Sequence, residues 1–240
     1  MMTLNYQLSI FGKYSIEPTP DIISDLMGRI NTKLSAEFIP SALEVPNVDI
    51  ENKTVSINTN LRFITLDRRF SIVLLNDRID VNYNKASEEE EDGTKFFHMA
   101  EQTLSLIMEY FNLHSNRLAM NIQQVFVPIS STALNSIGKQ CLKCSAYYDD
   151  KSFDEWSTRV NSQTEFLLNN TAETVNVITI MSNAHIQGKE KVVMCHVDIN
   201  TAPQNTDMRF TEDILGDFVN KGMITATNII EGLEGLISHE

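Results

Sequence analysis

Cys141 and Cys144 stand in a C-x-x-C spacing, and the third cysteine of the chain, Cys195, is followed directly by His196. These four side chains have the types and the number that a tetrahedral zinc site requires. His185 is the available substitute for His196. The pattern around Cys195 works against convergence, however. In KVVMCHVDINT the alternation of a strand puts Val193, Cys195, Val197 and Ile199 on one face and His196 on the other. Cys195 then reads as a small buried hydrophobe. A redox pair would need its C-x-x-C at a helix N-terminus after a strand, where the helix dipole lowers a thiol pKa. The preceding STALNSIGKQ does not read as a strand. The expectation is ordinary thiols, with no metal and no cofactor.

The second group with chemical potential is YYDDKSFDEW, residues 147–156. Asp149, Asp150, Asp154 and Glu155 have the density of a Ca²⁺ or Mg²⁺ site, but the EF-hand spacing and its central glycine are missing. The same segment holds Tyr147, Tyr148 and the only tryptophan, Trp156. Two readings stand side by side. The segment is either a partner-binding surface of aromatic and acidic residues, or a solvated loop whose rings cap the core. The run Glu88 to Asp92 reads as a solvated stretch ahead of a helix. The five histidines, His98, His114, His185, His196 and His239, are dispersed, and G-x-S-x-G, G-x-G-x-x-G and P-loop patterns do not occur.

The elements that must position these residues follow from hydrophobic period. TPDIISDLMGRINTKLSAE is a helix with Thr19 as N-cap, Pro20 at the first helical position and Asp21 set against the dipole. Its apolar stripe is Ile22, Ile23, Leu26, Met27, Ile30 and Leu34. From Pro46 to Tyr83 the period becomes two, and short turns at LDRR and NDR make an antiparallel meander. TKFFHMAEQTLSLIMEYFNL is a second helix with a stripe from Phe96 to Phe111. NRLAMNIQQVFVPI is a strand carrying Leu118, Met120 and Ile122 inward. Residues 130–152 have no clear period and read as a long excursion. Three strands follow, the last two joined at HIQGKEK. The closing helix starts at Thr211, and its glycines at 216, 222, 232 and 235 predict a break or bend near Gly222.

The totals bound the class. A chain of 240 residues with 42% hydrophobic content can bury a sizeable core without disulfide or metal. An odd number of cysteines, used sparingly, suits a cytoplasmic protein. The N-terminus lacks a basic start and an unbroken apolar stretch, so it does not read as a signal peptide. No window approaches a membrane span. The net charge of −13 is spread along the chain and weighs against nucleic acid, whose binding relies on Lys and Arg at phosphates. It favours protein partners that carry basic patches.

Once LRFITLDRRFSIVLLNDRIDVNY, FFHMAEQTLSLIMEYF, NRLAMNIQQVFVPI and CHVDIN are set in order, the chain resembles a sporadically distributed group of uncharacterised bacterial proteins of similar length. The resemblance covers most of the chain after residue 40 and rests largely on hydrophobic pattern. The group's central strand reads Arg-x-x-x-Arg-Tyr-x-Asn, of which this chain keeps Arg117. It implies a fold and no catalytic residues.

The sequence therefore predicts an α+β fold of antiparallel β-meanders with helices packed on one face. It reads as one domain over 1–240, with two similar halves at 1–115 and 116–240. The expected function is non-catalytic: an intracellular interaction or regulatory protein, with defence as one setting. It would bind a protein partner or itself through an acidic surface, as a homo-oligomer. The alternative is a small-molecule binder or enzyme with a pocket between sheet and helices.

Overall fold

The computed structural model describes residues 2–49, 54–84, 92–126, 131–141, 152–153, 155–185 and 191–238. Its strands are β1 (Met2–Phe11), β2 (Phe38–Asp49), β3 (Thr54–Thr65), β4 (Phe70–Leu74), β5 (Arg78–Asn84), β6 (Arg117–Phe126), β7 (Ser157–Leu168), β8 (Thr171–His185) and β9 (Lys191–Thr201). Its helices are α1 (Pro20–Leu34), α2 (Gly93–Phe111), α3 (Ser131–Cys141) and α4 (Glu212–Ser238). The nine strands form one antiparallel sheet in the order β2-β3-β4-β5-β1-β6-β9-β8-β7. This is the α+β class that the periodicities predict.

The connectivity runs twice through strand, helix, antiparallel strands and helix. β1 opens the first pass and pairs with β5, the last strand of that pass. β6 opens the second and pairs with β9. The two opening strands pair with each other at the middle of the sheet, Leu8 opposite Met120 and Gln7 opposite Asn121. β1 lies outside the predicted meander, although Tyr6, Leu8 and Ile10 alternate with Asn5, Gln7 and Ser9 as a strand should.

All four helices lie on the same side of the sheet, where α1 meets α2, α2 meets α4 and α4 meets α3. Thr19 caps α1 by accepting from the Ile22 amide, as predicted, and Asp92 caps α2 by accepting from the Thr94 amide. The inward stripe of α2 packs Phe96 and Phe97 against Tyr6, with ring centroids 5.4 Å apart in both pairs. Tyr83 and Phe70 extend this aromatic cluster.

Two sequence expectations are corrected. Part of the supposed excursion at 130–152 is a helix, α3, whose Leu134 and Ile137 are buried one turn apart. A helix of 11 residues gives too short a period to stand out. The closing helix is continuous through Gly222. That glycine serves close approach: a Cβ there would lie 3.1 Å from both Sδ and Cε of the buried Met120. The HIQGKEK turn lies largely outside the described residues.

Candidate functional site

One face of the sheet is the floor of the helical layer and the other carries no helix among the described residues. Strand pairing fixes what the uncovered face displays, because residues directly opposite each other point to the same side. One row reads Ser71, Asn82, Gln7, Asn121, Asp198, Ile178 and Asn161, from β4 across to β7. The next reads Asn84, Asn5, Gln123, His196, Ile180 and Arg159. A third, closer to the sheet end, reads Val73, Asp80, Ser9, Ala119, Asn200, Asn176 and Gln163.

Amide side chains recur along these rows, and hydrogen bonds join many of them in three groups. Asn121 donates to Gln7 Oε1 at 3.4 Å, and its Oδ1 lies 3.1 Å from His196 Nε2. Gln163 donates to Asn176 at 3.1 Å, Asn176 to Asn200 at 3.3 Å, and Asn200 to the Asp198 carboxylate at 3.0 Å. Asn5 donates to Asn84 at 2.8 Å. Each amide has two donors and two acceptor sites, so a network of this kind orients its members and leaves capacity for an incoming group. Gln7, Asn82, Asn121, Gln123, His196 and Asp198 are half-buried, flanked by neighbours yet open to solvent.

A charged end closes the band. Asp80, 4% exposed, accepts from Ser9 Oγ at 2.6 Å and pairs with Arg78 Nε at 2.9 Å. Burial pushes the Asp80 carboxyl above the usual carboxylate range, against the opposing pull of the Ser9 hydrogen bond and the Arg78 charge. The guanidinium groups of Arg78 and Arg117 lie 5.8 and 4.8 Å from the centroid of the Phe11 ring. Nε of Arg117 is buried without a hydrogen-bond partner. These residues stand on three adjacent strands, since Phe11 is opposite both Arg78 and Arg117.

The residues singled out from sequence fall differently. Cys195 faces the helices, 1% exposed, and burial raises its thiol to about 11. His196 is on the uncovered face, and the register of β9 with β6 and β8 runs through both residues without a bulge. The two therefore diverge as the alternation predicts. Cys141 ends α3, at the C-terminal end of a helix rather than the N-terminal end that activates a thiolate. Cys144, Tyr147, Tyr148, Asp149, Asp150 and Asp154 lie outside the described residues. Trp156 is a correction to the expected partner surface. It is 4% exposed, its backbone N–H donates to Asn183 Oδ1 at 2.7 Å, and its ring lies so close to Gly138 that a Cβ there would meet it at 2.9 Å. It belongs to the core. Among the described residues no group of three His, Cys, Asp or Glu side chains is placed to hold a metal ion.

A second candidate lies on the helical side. A cavity of about 190 Å³ at the N-terminus of α2 is lined by Tyr6, Asp92, Phe97, Gln124, Met223 and Ile230, among others. Gln124 donates to Thr3 Oγ1 at 3.3 Å, while its Oε1 is buried and unpartnered.

Comparison with protein-family models and with curated proteins finds no match to this chain. Among the described residues no helix is long and apolar enough to cross a membrane.

Proposed function

We propose that this is a non-catalytic interaction protein whose recognition surface is the uncovered face of the sheet. The observation that carries the reading is the band of hydrogen-bonded amide groups, two of them ending on His196 and Asp198, on the side of the sheet opposite the helices. A surface of this kind selects by hydrogen-bond pattern, because a partner that leaves its donors and acceptors unmet loses affinity sharply. The arginine and phenylalanine cluster at one end supplies the residue types that concentrate binding energy. The chain's net charge of −13 favours the approach of a protein partner bearing a basic patch.

The test is a bulky charge at the middle of the band. Asn121→Arg should leave the melting temperature of the protein within a few degrees and lower affinity for an isolated partner by at least about tenfold. Lys95→Glu, at an exposed position of α2 on the helical side, should leave binding unchanged. Equal binding by wild type and Asn121→Arg would overturn the assignment.

The cavity beside α2 favours a second reading, a small-molecule binder with its site between sheet and helices. The unpartnered Gln124 Oε1 calls for a donor, and the Asp92 carboxylate adds a charged acceptor at the cavity wall. A ligand with an amine and a short apolar body would satisfy both. A thermal-shift screen of primary amines tests it: stabilisation that is lost in Gln124→Leu supports it, and no shift with any amine removes it.

A further inference from the structure

We propose that β7 is a self-pairing edge, and that two copies of this chain join through it in antiparallel fashion about a two-fold axis at Ser162. This goes beyond the recognition face argued above: it rests on the outer edge of β7, where Arg159, Asn161 and Gln163 also end the rows of that face.

The two edges of the sheet are unlike. β2 carries Pro40 and Pro46, six residues apart and therefore with their missing N–H groups on one side of the strand. Prolines on an edge strand guard it against a further strand. β7 has no proline over its length, and its middle, from Arg159 to Glu165, is exposed on both faces, Val160 at 61%. Nothing among the described residues pairs with its outer side. Its inner side is held in unbroken register against β8 from Ser157 to Leu168. Its turn is fixed as well. Asn169 and Asn170 adopt positive φ (46° and 64°), the two-residue geometry that matches the twist of a hairpin, and Asp213 and Asp217 of α4 accept hydrogen bonds from Asn169. The edge is thus rigid, long and open, which is the form that takes up another strand.

The occupant is read from the charges. A two-fold axis perpendicular to the sheet keeps the faces of both copies aligned, so each pairing register is defined by the residue on the axis. With Ser162 there, Arg159 stands opposite Glu165 of the second copy, and Glu165 opposite its Arg159. Asn161 then faces Gln163, and Val160 faces Thr164. Both ion pairs form on the uncovered face, both charges are exposed in the single chain, and each pair is of a kind that stabilises adjacent strands. With Asn161 or Gln163 on the axis instead, no opposite charges meet. The sequence of β7 is self-complementary in one register.

Sedimentation velocity over a concentration series, with the full chain, tests this. The wild type should sediment as a dimer in equilibrium with monomer. Arg159→Glu alone puts like charges across the axis twice and should weaken the dimer on the order of tenfold or more. Glu165→Arg alone should do the same. The double swap R159E/E165R should restore the dimer, because it exchanges the partners without changing the pattern. Thermal melts of all four proteins establish that each is folded. A monomer at every concentration would overturn the proposal. A dimer indifferent to the single reversals, or one weakened by them and not rescued by the double swap, would equally overturn it.

Discussion

Cys195 and His196 are neighbours in sequence and strangers in space. The thiol sits in the core, and the imidazole faces Asn121 on the uncovered side. Desolvation makes thiolate formation costly, so at neutral pH Cys195 should resist a thiol-specific reagent in the folded protein and react at once in denaturant. Mass spectrometry of the labelled peptides checks this, and rapid native labelling of Cys195 would contradict its placement. The sign of the pH effect also follows. The folded thiol titrates near 11, above its ordinary value, so folding stability that is intact below the ordinary thiol pKa is lost as pH rises toward 11. Asp67 gives the opposite case at the β3–β4 turn. Slight desolvation would raise its carboxyl, but hydrogen bonds from Thr65 and Arg69, with the Arg69 charge, outweigh it and hold the group at about 2. Its contribution is present above the ordinary carboxylate range and is lost as pH falls toward 2.

The helices show how one residue type serves unlike ends. Gly28 lies in the interior of α1, exposed, with nothing within 4 Å of an added Cβ. Gly28→Ala should therefore stabilise the protein by about 1 kcal/mol, the difference in helix propensity. Gly222 in α4 has the same propensity cost, but its surface is pressed against Met120, which is fully buried in β6. Gly222→Leu should destabilise by about 1–3 kcal/mol through overpacking. Urea denaturation of the two variants reads both effects, and equal shifts would show that Gly222 is not a contact point. The glycines of α4 were visible in the sequence as a weakness. Whether that weakness became a bend or a contact depended on what lay opposite, and Met120 is far away in the chain.

For the molecule as a whole, the junction of β1 with β6 is decisive. β1 pairs on one edge with β5 and on the other with β6, and Leu8, Ile10 and Met120 are all fully buried there. A sheet without a seam should unfold as a unit. Far-ultraviolet circular dichroism and the fluorescence of the sole tryptophan, Trp156 in the later part of the chain, should report one coincident transition in urea. Separate midpoints would mean that the sheet divides between β1 and β6. Much of this architecture is legible in the sequence, because period, capping and turn chemistry act over a few residues. They define α1, α2, the β3–β5 meander, the β7–β9 strands and the inward side of Cys195. What acts over long separations is not legible in one chain. The sequence shows Asn, Gln and His residues scattered from Asn5 to Asn200, and nothing local marks them as neighbours. Strand order and register bring them into one band on the side opposite the helices and leave β7 at the rim.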